Sequence, residues 1–355
     1  MAPDSETTSD DGKVARRRDG PPTIGDVARL AGTSEATVSR ALRGSRRVGE
    51  ELRLSVVQAA EALDYTPNPH AQALARSVDA AIGVVVHDTG DPYFVEILRG
   101  ILDPAERSGR MVMVCDTRRD PELEFAYVRH FRTQRVQALL LAGSGFEDRE
   151  FGAQMTSEIS AFERSGARVA LIGRHHILGD SVVPDNEDGA YEMARALVDL
   201  GHSRFGVISG PPSLTTTQDR LAGIRRALGE AGIENELVRS GDFTRDRGAA
   251  ATEELLAADP SITAIFSLND MMAIGALSVA RSRGLRVPED ISIAGFDDIP
   301  IAVDLWPALS TVRVPMVEMG VRALQLALGP HSPSVQIVRL PTELVLREST
   351  GPARA

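Results

Sequence analysis

The chain has 355 residues, 43% hydrophobic and 25% charged, with a formal net charge of −11. That is enough apolar material for a large core in two or three domains. The charge excludes a nucleic-acid coat made of the whole molecule, but not a small basic head. The one cysteine, Cys115, excludes an internal disulfide, and its apolar neighbours read as a strand rather than a metal cluster.

Residues 1–22 are polar and acidic, then basic at 16–18, with no apolar stretch. They fit neither a signal peptide nor a membrane anchor. A disordered leader on a cytoplasmic protein is expected.

Residues 23–43 read TIGDVARLAGTSEATVSRALR. Thr23 is a candidate N-cap, and Ile24, Val27, Ala28 and Ala31 form an i, i+3, i+4, i+7 stripe. Gly32 ends this helix at a turn. Ser34 caps a second helix, whose inward face is Val38, Ala41 and Leu42. The pair makes a helix-turn-helix unit. A third helix over 50–63 is expected to close the core through Leu54, Val57 and Leu63.

The outward face of the second helix carries Glu35, Ala36, Ser39 and Arg40. Hydroxyls at a helix start suit phosphates, and Arg40 suits guanine O6 and N7. From Arg29 to Arg53 there are six arginines against three glutamates. Spacing alone leaves a protein-interaction module open, because this geometry serves other ends. The linker YTPNPHAQALA follows, with Asn68 as N-cap and Pro69 at the first helical position. Its helix is too short to persist alone, which fits a segment that folds against a partner, or a passive spacer.

From residue 81, apolar runs alternate with amphipathic stretches. The strands are 82–86, 111–115, 138–142, 169–172, 205–209, 264–268 and 291–295. All are apolar throughout, as for parallel strands buried on both faces. Helices are expected over 93–108, 189–200, 218–231 and 270–283, with Gly201, Gly232 and Gly284 as left-handed caps. The alternation indicates an α/β body with right-handed crossovers. His202, just after a cap, is expected to contact terminal carbonyls.

These residues carry a resemblance. TIGDVARLAGTSEATVSRAL, YTPNPHAQALA, IGVVVHDTGDPYF, LGHSRFGVISGPP, RLAGIRRAL, SLNDMMAIGAL and ISIAGFDDIP, in this order, resemble the lactose-repressor (LacI/GalR) family of bacterial regulators. The likeness runs from Thr23 to about Glu348. It implies a repressor of a sugar uptake or catabolism operon, acting as a homodimer on double-stranded, pseudo-palindromic operator DNA. It implies Glu35, Ala36 and Arg40 at bases, and Thr23, Ser34, Thr37 and Ser39 at phosphates. Arg43 and Asn68 join that set, and Leu74 aligns with a wedge between base steps. Gln72 departs from the arginine common there.

The implied organisation is a helix-turn-helix domain (23–66), a hinge helix (67–80), a two-subdomain body (81–348) and a tail (349–355). One subdomain spans about 81–184 and 312–334, and the other about 185–311 and 335–348. The body resembles a periplasmic sugar-binding protein, with ligand at the strand carboxyl ends. The effector set expected there is His87, Asp91, Tyr93, Phe94, Arg174, Arg220, Phe243, Asn269 and Asp297. Arg220, Asn269 and Asp297 supply hydrogen bonds, and Phe94 and Phe243 the walls. Gly173 replaces an acid common beside Arg174. A purine co-repressor is the alternative effector, and a solute receptor without a DNA role is a further one.

Catalysis is not supported. Gly143-Ser144-Gly145 lacks nucleophile-elbow spacing. His175 and His176 are adjacent, so their side chains diverge. No P-loop pattern occurs, and no metal or cofactor is expected. The absence of a heptad tail argues against a coiled-coil tetramer.

Overall fold

A computed structural model describes residues 22–42, 48–65, 81–234, 236–330, 332 and 334–354. The chain divides into two compact units, 1–78 and 79–355. Arg43, Asn68, Leu74, the leader and the hinge segment lie outside the described residues.

The first unit holds α1 (Ile24–Leu30), α2 (Glu35–Leu42) and α3 (Glu50–Ala62). Thr23 and Asp26 form a capping box that starts α1. Gly32, at φ 62°, turns the chain, and the Thr33 amide closes on the Ala28 carbonyl at 2.9 Å. Ser34 Oγ accepts from the Thr37 amide at 3.2 Å to start α2. Val27, Ala28, Val38 and Ala41 are buried together with Val56, Ala59 and Ala60 of α3. The third helix therefore turns its inward stripe one notch from the expected one. Leu54 is exposed, while Val57 and Leu63 are half-buried. Two small alanines let α3 approach where a leucine stripe would hold it off.

The second unit is a two-lobed α/β body. In the first lobe, β1 (Ile82–Val86), β2 (Val112–Asp116), β3 (Ala138–Ala142), β4 (Arg168–Ile172), β5 (Asp180–Pro184) and β11 (Ile337–Leu340) form a parallel sheet in the order β11-β5-β4-β3-β1-β2. Side chains alternate between its faces: Ile82, Val84 and Val86 join one core, and Val85 the other. α5 (Pro121–Gln134) and α6 (Arg149–Arg164) cover the face toward Val85. α4 (Pro92–Arg107) and α11 (Met316–Leu328) cover the opposite one. These two cross at backbone contact. A Cβ on Gly100 would lie 2.0 Å from the Val317 carbonyl oxygen, so no side chain fits there.

In the second lobe, β6 (Phe205–Ser209), β7 (Glu236–Ser240), β8 (Ala264–Ser267) and β9 (Ser292–Ala294) form a parallel sheet in the order β7-β6-β8-β9. Its helices are α7 (Asn186–Asp199), α8 (Thr215–Glu230), α9 (Arg245–Ala258) and α10 (Asp270–Ser282). A short antiparallel pair, β10 (Thr311–Arg313) and β12 (Glu343–Val345), completes the body. Gly201, Gly232 and Gly284 all take positive φ at helix ends.

Three expectations need correction. Residues 335–340 were assigned to the second subdomain, but β11 pairs with β5 and extends the first sheet. β2 is an edge strand and only part-buried, so its apolar run is not sandwiched. Residues 349–354 are not a loose tail: Ser349 and Gly351 are buried. His202 holds them, with Nε2 3.0 Å from the Gly351 carbonyl and Nδ1 2.9 Å from Thr263 Oγ1. No helix among the described residues is long and apolar enough to cross a membrane.

Candidate functional site

The body's strands stop at a common level, and the loops beyond their carboxyl ends face each other across the lobes. They line a narrow cleft with about 40 Å3 of free space, well below the ~300 Å3 at which ligand sites begin. His87, Asp91, Tyr93, Phe94, Arg119 and Ser144 line it from the first lobe. Leu214, Thr216, Arg220, Phe243, Asn269 and Asp297 line it from the second. A wider depression of about 570 Å3 lies along β4, β5 and β11. Part of it is salt-bridged by Arg226 to Glu187 and Asp188, whereas the cleft gathers buried polar and aromatic side chains from the strand ends of both lobes and is the candidate seat.

Arg220, on the second turn of α8, is 3% exposed and bonded through each of its nitrogens. Its Nε donates to Asn186 Oδ1 at 2.9 Å and its Nη2 to Asp297 Oδ1 at 2.8 Å. Nη1 donates to the Leu268 carbonyl. Its guanidinium also stacks 3.7 Å from the Phe296 ring centre. Burial raises the Asp297 carboxyl to about 7, because desolvation outweighs the attraction of Arg220.

The second lobe's backbone is strained where it meets the cavity. Phe243 has φ 70°, Asp297 φ 115° and Asp298 φ 56°. Each is clamped. The Asp297 amide donates to the Val312 carbonyl at 2.8 Å. Asn269 Nδ2 donates to the Phe243 carbonyl at 3.0 Å, while its Oδ1 caps α10 through the Met272 amide at 2.9 Å. Asp298, which pairs with Arg313 and Arg347, sits outside the cavity lining.

On the first lobe, Asp91 caps α4 by accepting from the Tyr93 amide at 3.0 Å. Burial, ahead of any attraction, pushes its carboxyl up. Burial also raises the Tyr93 phenol, whose hydroxyl makes no hydrogen bond among the described residues. Phe94 packs edge-on to Tyr93 at 5.0 Å. Arg119 donates to Asp88 at 3.1 Å and to Asp91 at 3.3 Å, and leans over the Phe243 ring across the cleft at 5.4 Å.

Arg174, expected at the effector, is absent from this lining. Its Nε donates to Asp219 of α8 at 3.0 Å and its Nη2 to Glu147 at 3.1 Å. It belongs to a clasp between the lobes. The Glu147 amide donates to the Ser213 carbonyl at 2.7 Å, and the Thr215 amide to the Gly145 carbonyl at 2.9 Å. Ser144 and Thr216 hydroxyls meet at 2.6 Å, and Thr215 Oγ1 donates to the Arg174 carbonyl at 2.6 Å. The adjacent histidines diverge: His176 pairs with Glu147 at 2.8 Å, and His175 points inward.

Arg119, Ser144, Leu214 and Thr216 were missed. Arg119 and Ser144 follow β2 and β3 at their carboxyl ends, so the rule that found His87 and Asp297 also covers them. Leu214 and Thr216 carry no comparable signal.

In the first unit, Thr23, Ser34, Glu35, Ala36 and Arg40 are exposed and Thr37 and Ser39 half-buried. Thr23 and Ser34 act as caps, and Ser34 and Thr37 hydroxyls lie 2.9 Å apart.

A helix-turn-helix unit joined to a two-lobed α/β body with a buried polar cleft defines a ligand-responsive DNA-binding regulator. Comparison with known proteins specifies it further. Residues 23–68 match the model for bacterial regulatory proteins of the lacI family, and 194–350 the periplasmic binding protein-like domain. The chain is 35% identical over 341 residues to the HTH-type transcriptional regulator DegA of Bacillus subtilis strain 168, covering 93% of this chain and 98% of DegA. The lac repressor dimer bound to operator and the anti-inducer ONPF superposes with a TM-score of 0.76 at 29% identity, covering 94% of this chain and 100% of that one. The complex of the transcriptional regulator CelR with cellobiose gives 0.67 at 30% identity, covering 92% and 99%. The chain belongs to the lacI family of transcriptional regulators. It is a DNA-binding regulator, not an enzyme.

Proposed function

We propose that this regulator is a homodimeric repressor of a sugar operon whose cleft takes an uncharged, hydroxyl-rich effector. The observation that carries the reading is how fully the cleft's cations are spent. Each nitrogen of Arg220 already donates to a protein acceptor, and Arg119 is paired to two carboxylates. An anionic phosphate or carboxylate ligand would compete with these carboxylates for the same cations, and displacing a buried pair costs ~3–5 kcal/mol. Asp91 and Asp297 offer oxygens to hydroxyl donors, and Phe94 and Phe243 offer apolar faces. The similar CelR was solved with cellobiose, which supports a sugar over a purine.

The expected roles on operator DNA are Arg40 and Glu35 at base edges, with Thr23, Ser34 and Thr37 at phosphates. Arg43, Asn68 and Leu74 remain the proposed contacts beyond the described residues. The body exposes Trp306 (91%), Ile301 and Val303 on one lobe, and Val95, Leu102 and Met111 on the other. Apolar surface of this kind marks an interface, and a second copy of the chain is the occupant the lac repressor dimer suggests.

Thermal-shift titration with neutral sugars, sugar phosphates and purine bases tests the effector class. A saturable rise with a neutral sugar supports the reading. A rise confined to phosphates or purines overturns it. Sedimentation of Trp306→Asp tests the dimer, with a shift toward monomer expected.

A further inference from the structure

His87 ends β1 and lines the effector cavity, and a second buried residue stands directly behind it. Its Nε2 lies 3.2 Å from Glu124 Oε2 of α5, and both residues are 2% exposed. The imidazole is wedged between Phe94, at 6.0 Å between ring centres, and Phe146, at 5.6 Å. Gly143 leaves the ring its room: a Cβ there would come within 2.7 Å of it. Nδ1 has no hydrogen-bond partner among the described residues. The other oxygen of Glu124, Oε1, is buried and makes no hydrogen bond among them either. His175, the second imidazole near this carboxylate, is held below its ordinary pKa, chiefly by burial.

A carboxylate only accepts, so it selects the ring form whose hydrogen is on Nε2. The opposite nitrogen then carries the lone pair. We propose that Glu124 is a positioning residue for the effector seat: it fixes His87 with Nε2–H toward the carboxylate and presents Nδ1 to accept from an effector hydroxyl. Glu124 never touches the effector. It acts by locking the ring's orientation and by deciding which nitrogen accepts. The consequence is selectivity for an effector with a hydroxyl at that point, since a deoxy analogue would leave a buried acceptor unpaired. This rests on the neutral-sugar reading of the cleft.

The test is long-range 1H–15N spectroscopy of full-length protein with 15N-labelled histidine, in the wild type and in Glu124→Leu, Glu124→Gln and His175→Asn. The Nε2–H form of His87 is expected in the wild type and in His175→Asn, and a mixed population in Glu124→Leu. Glu124→Gln, whose amide oxygen still accepts, is expected to recover part of the preference. The Nδ1–H form in the wild type, or an unchanged Nε2–H form in a folded Glu124→Leu, would overturn the proposal. The second arm adds D-ribose and cellobiose. A sugar that raises the melting temperature should move the His87 Nδ1 resonance and bind Glu124→Leu about tenfold more weakly, one hydrogen bond's effect. Saturable binding that leaves that resonance in place overturns the contact. A tautomer result as expected with no response to any sugar overturns the effector reading instead.

Discussion

The two walls of the cleft are built on different terms. The second lobe presents groups already locked. Arg220, Asn269 and Asp297 are each at most 3% exposed and bonded on several sides, and Phe243 and Asp297 sit in left-handed backbone that their neighbours clamp. The first lobe pairs a locked His87 with groups that have looser partners: Arg119 is 15% exposed, and the clasp residue Arg174 36%. Preorganised polar groups discriminate between ligands, because a misfit leaves them unpaired. Looser groups suit a wall that must close on what the other has chosen. Closure thus falls to the first lobe, and recognition to the second lobe together with His87.

The largest blow to that division falls on the locked wall. Arg220→Met leaves Asp297 buried beside an apolar chain, with an expected loss of ~3–5 kcal/mol in body stability and no sugar response. Denaturant unfolding reads the first and thermal shift the second. A variant as stable as the wild type would show that the second lobe is not preorganised by this pair.

A subtler probe is proton uptake. Asp297 holds its proton to about 7 in the folded body, whereas the unfolded chain gives it up near 3.8. Between those values the folded state binds more protons. This carboxyl therefore contributes a stability that is greatest near pH 4, falls as the pH rises toward 7, and then levels off. Asp297→Asn should flatten the pH–stability slope across that window by up to one proton, about 1.4 kcal/mol per pH unit. Parallel slopes in the two proteins would place the titration elsewhere.

The smallest effect belongs to the closing side. Asp219→Asn weakens a half-exposed ion pair worth ~0.2–1 kcal/mol. It should barely move the melting temperature, yet shift small-angle scattering of the effector-free protein toward a more open body. A large stability loss with unchanged scattering would make the clasp a structural brace instead.

What was legible in the sequence follows burial. Strands 82–86, 138–142 and 205–209 were found to the residue, because every position in each is buried and all but Gly83, Gly206 and Ser209 carry apolar side chains. β7 and β11 escaped notice: both are sheet edges, where solvent permits Glu236, Arg239 and Arg339 and the pattern dissolves. β5 escaped too although it is interior, because Asp180, Ser181 and Pro184 leave only two apolar residues in a row. The cleft was legible where one strand end names its own loop, as at His87 and Asp297. It was not legible where a residue's partner comes from the other lobe. Nothing around Arg174 announces Asp219, 45 positions away, and nothing before Thr215 says that its loop will lie against Gly145. Glu124 is a still harder case, since on a helix it reads as one more solvated acid, yet it faces inward.

The seating of residues 349–354 bears on how the protein can be handled. Ser349 Oγ donates to the Ile293 carbonyl at 2.6 Å and accepts from the Ser310 amide at 2.8 Å, two residues before Gly351 reaches His202. Residues 349–351 therefore work as a keystone in the second lobe, tying β9 to the segment before β10 and to His202. A fluorescent reporter or purification handle belongs outside residues 349–354, with that stretch intact. A gene product cut at residue 348 would keep its complete DNA-reading head on a sensor whose second lobe has lost its seal.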